Sequence, residues 1–291
     1  MFSKFWLGAV LAAMSAPGLV RGMELESGTL NAWTNYIQAA RLHMQRRTGG
    51  AESFLWIDES PNRADRVRRG EVVVEPAEGR GTLGVPNGMI HHWIGAVFVP
   101  GGTIDGVKSV IQNYDGYQKI YKPAVVESKA LACTTREREF SMIWHRHVLF
   151  VNSAIQGQFW SHDVMLDDHR GYDVSGTKQV QEIGNYAHRG ERVLAPDTGN
   201  GFIWRLHSIA RYEERDGGVY LELEAIALTR DIPASLRWLV APAVNHLSID
   251  SLTTTLRQTR QAVSALPAPA QAAACRSRDT DVALAKPGGA E

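Results

Sequence analysis

The 291-residue chain has two cysteines, Cys133 and Cys275, too few for a disulfide framework or a cysteine-based zinc site. Both a bridge and an unpaired thiol remain open, because Cys275 lies in a segment that reads as unstructured. An excess of charge is also missing: 31 basic residues face 31 acidic ones. A chain so balanced has no global attraction for a phosphate backbone, which excludes nucleic acid as a partner class. The apolar run Phe5 to Met14 is shorter than the roughly 20 residues that a membrane helix needs. No phosphate loop, nucleophile elbow or zinc-protease helix occurs. Gly199-x-Gly201 lacks the rest of a dinucleotide fingerprint and reads as a turn. The sequence therefore assigns no cofactor and no metal.

What is present begins with Lys4, the apolar run, and Ser15-Ala16-Pro17-Gly18-Leu19-Val20-Arg21-Gly22. This is the pattern of a secretory signal peptide over residues 1–22 with a Val20-x-Gly22 cleavage site, the alternative being a retained anchor. The expectation is an exported protein, periplasmic or secreted, without a transmembrane anchor after processing. No cysteine follows the run, so a lipid anchor is not expected. Loss of Lys4 and Arg21 leaves the mature chain slightly acidic.

Leu30, Trp33, Ile37, Ala40 and Met44 step by three and four, which predicts a helix ending near Thr48-Gly49-Gly50. Residues 51–87 resist assignment apart from the β-like run Glu71 to Glu75. Ala265 onward is rich in Ala and Pro without a period and reads as disordered. Between these flanks the spacing predicts a strand over Met89 to Val99, a short helix capped by Thr103, and strands over Ala124–Ala132, Phe140–Val151, Ala154–Asp167, Tyr172–Gly184, Phe202–Glu213 and Val219–Thr229. A type I′ turn at Asp216-Gly217 would set Arg215 opposite Gly218, Arg211 opposite Glu222 and Leu206 opposite Ala227. The two faces then sort. Phe202, Trp204, Leu206, Ala210, Tyr212, Leu221, Leu223, Ala225 and Ala227 make a covered one. Arg205, His207, Arg211, Tyr220, Glu222 and Glu224 make a wet one, with Ile203, Ile209 and Ile226 as exceptions. A final helix from Ile232-Pro233 would cover the first face with Leu236, Leu239, Val240, Ala243, Val244 and Leu247. Pro242 should kink it and Ser248 restart it, after which Ile249, Leu252, Leu256, Thr259 and Val263 continue the stripe.

The run Trp93-Ile94-Gly95-Ala96-Val97-Phe98-Val99-Pro100, the helix ending Tyr114-Asp115-Gly116-Tyr117, the strand start Pro123 to Ser128 and Arg230-Asp231-Ile232-Pro233 before a long helix resemble the START-like superfamily, also called SRPBCC or helix-grip. The resemblance implies an α+β fold, a curved antiparallel sheet wrapped around a long C-terminal helix, over residues 89–265. The N-terminal helix and extension (residues 23–88) and the tail (266–291) lie outside it. It also implies an apolar cavity between sheet and helix for a lipid-like molecule. The side chains expected there are Trp144, Arg146, Phe150, Phe159, Trp204, Leu206, Tyr212, Leu221 and Leu223, with Leu236, Val240, Leu252 and Leu256 from the helix. For Trp144, Trp204, Phe159 and Tyr212, core packing explains the residue type equally well.

Fold leaves function open. Arg146 shares a face with Phe140, Met142, Trp144, Val148 and Phe150, and needs an anionic partner. Asp163 and the head group of an acidic ligand are the two candidates. A turn at Asn152-Ser153 would gather His145, His147 and His162 on one face, which reads as a polar surface in preference to a metal site. His91 and His92 point to opposite faces, so that one faces the cavity. The leading expectation is an exported, non-enzymatic binding protein for a hydrophobic or amphipathic small molecule. Two others stand beside it: a cyclase or hydratase using Arg146, His92 or Tyr212 in the same cavity, and an envelope interaction module with a filled core.

Overall fold

The computed structural model describes residues 23–134, 137–148, 151–231 and 234–267, and at 23, 146–148, 151–153 and 234–243 it describes the backbone alone. The elements are β1 (Met23–Glu24), α1 (Ser27–Thr48), α2 (Pro61–Arg68), β2 (Val73–Pro76), β3 (Thr82–Val85), β4 (Gly88–Pro100), α3 (Ile104–Ile111), α4 (Tyr117–Ile120), β5 (Val125–Cys133), β6 (Arg138–Val148), β7 (Val151–Met165), β8 (Arg170–Gly184), β9 (Arg192–Val193), β10 (Thr198–Gly199), β11 (Arg205–Arg215), β12 (Gly218–Arg230) and α5 (Ala234–Ser264). A ten-stranded antiparallel sheet runs β2-β4-β12-β11-β8-β7-β6-β5, with β3 also beside β4 and β9 beside β8.

The β11–β12 hairpin is the one the sequence specified. Asp216 and Gly217 both have positive φ, 56° and 75°, as a type I′ turn requires, and Arg215 pairs with Gly218, Arg211 with Glu222 and Leu206 with Ala227. The Thr103 side chain caps α3 by accepting from the Gly106 amide at 3.1 Å. The long helix packs its 3.6-residue stripe onto the inner face of the sheet, burying Leu252, Leu256, Thr259 and Val263 against Trp93, Val97, Val99, Tyr212, Val219 and Leu221. Gly95 makes the close approach possible, because a Cβ there would lie 2.8 Å from Leu256 Cδ1.

Three expectations about local structure are corrected. The helix α5 is not restarted at Ser248, whose hydroxyl instead bonds the Val244 carbonyl at 3.1 Å within one unbroken helix. Leu247 is exposed and does not belong to its stripe. The β6–β7 hairpin does not turn at Asn152-Ser153: Val148 pairs with Val151 and His147 with Asn152, so those residues are already strand. The free-thiol alternative is dropped as well, since Cys133 is disulfide-bonded.

The largest correction concerns the outer face, expected to be wet. It is sealed. Trp33, Ile37 and Ala40 of α1 pack on Ile90, Trp204, Ile226 and Leu228, while Met44 joins Phe54 to Ile57, Val67, Val73, Ile94, Ala96, Phe98, Ile209 and Tyr220. The charges beneath this layer neutralise one another. Arg211, 1% exposed, donates to Glu222 at 2.9 Å and to Glu224 at 2.7 Å. Glu222 also accepts from the Ile57 amide at 2.9 Å. His92 bridges Glu224 and the Tyr36 hydroxyl at 2.8 Å each. The Arg211 guanidinium beside Glu224 holds that carboxyl well below the usual carboxylate range, against the opposing effect of burial. Alternation of charge along a strand marks a face, and it does not tell whether that face meets water or another layer.

Candidate ligand-binding site

The register fixes which side chains share the inner face with α5. Leu206, Ser208, Ala210 and Tyr212 of β11 lie opposite Ala227, Ala225, Leu223 and Leu221 of β12. Across β11, Ser175 and Asp173 of β8 face Ser208 and Ala210. Phe159, Ser161 and Asp163 of β7 follow, opposite Thr177, Ser175 and Asp173, and Arg138, Phe140, Met142 and Trp144 of β6 complete the wall.

This inner wall is not closed as a packed core would be. Leu206, Ala210, Leu223, Ala225 and Ala227 on the central strands β11 and β12 are only half-buried, as are Met142 and Trp144 on β6. On β11 and β12 the outward-facing Ile209, Arg211, Glu222 and Ile226 are 2% exposed or less. Part of the apolar face is thus half-open beside the part that α5 covers, and the charged face is sealed. One end of the wall is aromatic, with Tyr114, from the turn after α3, stacked on Phe140 at 4.1 Å and Phe140 stacked on Phe159 at 4.9 Å.

A polar patch interrupts this wall. Ser161 donates to Asp173, with 2.8 Å to either carboxylate oxygen. The Tyr212 hydroxyl donates to Asp163, which also pairs with Lys108 of α3 at 2.8 Å. Ser175 and Ser208 bond each other at 2.8 Å. Tyr114 is 4% exposed, and among the described residues its hydroxyl makes no well-formed hydrogen bond, although Ser161 is near enough to act on its ionisation. Burial pushes the Tyr114 phenol well above its usual range. Burial likewise pushes the Asp173 carboxyl up to about 7, with Asp163 adding to the effect and Ser161 opposing it. His91, on the inner face beside Thr229 Oγ1 at 3.0 Å, is pushed down to about 4 by burial. Beyond Lys108 and Met165 lies an outer cleft of about 410 Å³, lined also by Thr103, Ile104, Asp105, Leu166, Asp167, Asp168 and Glu214.

Asp173 disfavours the folded state wherever it is ionised. Its folded pKa lies above the unfolded value, so the stability lost through it grows as pH rises from about 4 and is complete above about 7. Asp173→Asn is therefore expected to raise the melting temperature at pH 8 by several degrees and to change it little at pH 4. Thermal unfolding at the two pH values checks this, and an equal shift at both would mean that Asp173 is solvated.

Of the expected lining residues, Trp144, Phe159, Leu206, Tyr212, Leu221, Leu223, Leu252 and Leu256 do share the gripped face. Trp204 does not. It precedes β11, bonds the Leu228 carbonyl through its amide, and packs under α1 with Trp33 and Ile37. Phe150 and the side chains of Arg146, Leu236 and Val240 lie outside the described residues. The backbone register nevertheless places Arg146 opposite Ser153, at the other end of β7 from Asp163, and Asp163 is engaged by Tyr212 and Lys108 instead. His145 pairs with Ala154, far along β7 from His162, so these two do not cluster; the His147 side chain lies outside the described residues. His92 faces outward. Ser161 and Asp173 come together only through the β7–β8 pairing, and Lys108 and Tyr114 reach them from α3 and the turn after it, which strand patterns do not place. The in-phase spacing Ser161-x-Asp163 and Asp173-x-Ser175 across a turn at Asp167 to His169 was the available signal.

No family model matches the chain, and no curated protein matches it. Among solved structures it is similar to the STAR-related lipid transfer protein of Xanthomonas axonopodis, at 15% identity over 66% of this chain and 98% of that one, with a TM-score of 0.42. It is similar also to human STARD10, at 9% identity over 63% and 75%, TM-score 0.40. The Zhui aromatase/cyclase from Streptomyces sp. R1128 overlaps at 15% identity over 60% and 97%, TM-score 0.38. Overlaps of this quality say nothing about ligand or activity. The strand order and the gripped helix stand on their own coordinates, and they make this chain an α+β protein of helix-grip architecture, as the sequence resemblance implied.

Proposed function

We propose that the protein binds a hydrophobic or amphipathic small molecule between the inner face of the sheet and α5. The observation that carries this reading is the half-open apolar wall of the central strands beside a fully sealed charged face. Apolar surface left uncovered forfeits roughly 25 cal/mol per Å² of burial, and a concave apolar wall with a few convergent polar groups is what small-molecule sites look like. The filled-core alternative requires that same wall to be closed. Export, to the periplasm or the exterior, is part of the proposal and rests on the composition of residues 1–22; N-terminal sequencing of exported material beginning near Met23 would support it.

The test is native mass spectrometry of the purified mature protein, followed by organic extraction. A retained apolar mass that extraction removes is the expected result, and a bare protein that also fails to take up added lipid contradicts it. A second reading, an acid–base enzyme acting on the bound molecule, is favoured by one observation: Asp173 can gain or lose a proton near neutrality on an apolar wall. The groups first considered for that role do not serve it as expected, since His92 faces outward and the Tyr212 hydroxyl is committed to Asp163. Chemical change in the extracted ligand after incubation distinguishes enzyme from carrier.

A further inference from the structure

We propose that Tyr114, Ser161 and Asp173 seat the hydroxyl group of an otherwise apolar ligand, so that the molecule bound is an alcohol and not a fatty acid. This rests on the reading that the inner wall holds a ligand, and adds its polar chemistry. The hydrogen-bond inventory leads to it. Ser161 spends its proton on Asp173 and keeps lone pairs free. The Asp173 carboxylate has further lone pairs. Tyr114 contributes a buried hydroxyl that makes no well-formed hydrogen bond among the described residues, the Ser161 hydroxyl being its near neighbour. The seat thus offers one donor and several acceptors around one point. A hydroxyl matches both, accepting from Tyr114 and donating to Asp173, whereas a carboxylate can only accept and an alkyl chain does neither. Leaving a buried phenol unpaired costs stability, and the cost disappears when a ligand group takes its proton.

Charge points the same way. Asp163 faces Asp173 across the β7–β8 ladder and is neutralised by Lys108. Arg138, opposite Ser161 on β6, acts on Asp173 with the opposite sign. With His162 also acting on Asp173, the carboxylates Asp163 and Asp173 against Lys108 and Arg138 give the seat no fixed net charge to attract an anion, and an incoming carboxylate would lie against two others. The aromatic stack of Tyr114, Phe140 and Phe159 provides the apolar surround in which a single hydroxyl pairing discriminates strongly.

The experiment uses the mature chain at pH 8 and a neutral fluorescent reporter, N-phenyl-1-naphthylamine, displaced by dodecan-1-ol or by dodecanoate. Dodecan-1-ol is expected to displace the reporter at a concentration about tenfold lower than dodecanoate, as one well-made hydrogen bond predicts. Tyr114→Phe keeps the ring stack and should weaken dodecan-1-ol about tenfold relative to dodecanoate, each displacement being read against the variant's own affinity for the reporter. Ser161→Ala should act in the same direction. A wild type that binds the reporter but ranks dodecanoate level with or above dodecan-1-ol overturns the inference alone, as does a Tyr114→Phe variant with unchanged alcohol affinity. A wild type that binds neither reporter nor alcohol overturns the cavity reading, and this inference with it.

Discussion

Arg211→Met is expected to destabilise the protein by about 3 to 5 kcal/mol, enough to unfold a domain of ordinary stability at moderate temperature. The methionine fills a similar volume, so the loss is electrostatic: Glu222 and Glu224, both buried, are left without their shared guanidinium. Adding Glu222→Gln and Glu224→Gln should recover much of the loss. Glutamine keeps an acceptor for the Ile57 amide and for His92 while removing the uncompensated charge. Chemical denaturation of the single and triple variants reads this directly. A loss below about 1 kcal/mol in the single variant would show that the outer face is open to water, as the strand alternation alone suggested.

Leu256→Asp is expected to cost more than about 4 kcal/mol, combining the loss of a fully buried side chain with the burial of a charge. Leu256 is 1% exposed and sits over Gly95 at the centre of the α5 contact. Leu247→Asp, on the same helix but 39% exposed, should cost within about 1 kcal/mol. The pair of variants separates packing against the sheet from any general intolerance of the helix to charge. Equal losses at both positions would contradict the placement of the stripe.

Much of the architecture could be read from residue order because local rules and tertiary packing agree there. The Asp216-Gly217 turn needs positive φ at both positions and fixes the β11–β12 register by itself. The stripe Leu252, Leu256, Thr259 and Val263 has the helical period and one covered face. The outer layer was illegible for a physical reason. Arg211, Glu222 and Glu224 have the alternation of a solvated face, and only their mutual pairing under α1 makes burial tolerable. The sign that this face was covered lay in the apparent exceptions Ile209 and Ile226, which are core residues of that layer. Trp204 misled in the opposite way, since it precedes the regular strand and strand parity does not govern it. The polar part of the site depended on the pairing of β7 with β8, where Asp163 meets Asp173 and a bulge between Gln158 and Phe159 shifts the ladder. Period-2 patterns place residues on faces, but the partner across the ladder follows only from the turn.

The central claim is that the inner wall is open and takes an apolar guest, and Ala225→Phe tests it most directly. Ala225 is a half-buried residue of that wall, between Ser208 and Trp93 in the ladders. With N-phenyl-1-naphthylamine titrated into both proteins, the wild type should bind one equivalent. The variant should bind none and should melt within a few degrees of the wild type, because on this account the added ring enters the space that the guest would take. A wild type that binds no probe, together with a variant destabilised by the 1 to 3 kcal/mol typical of overpacking, would show that the space between sheet and helix is filled core.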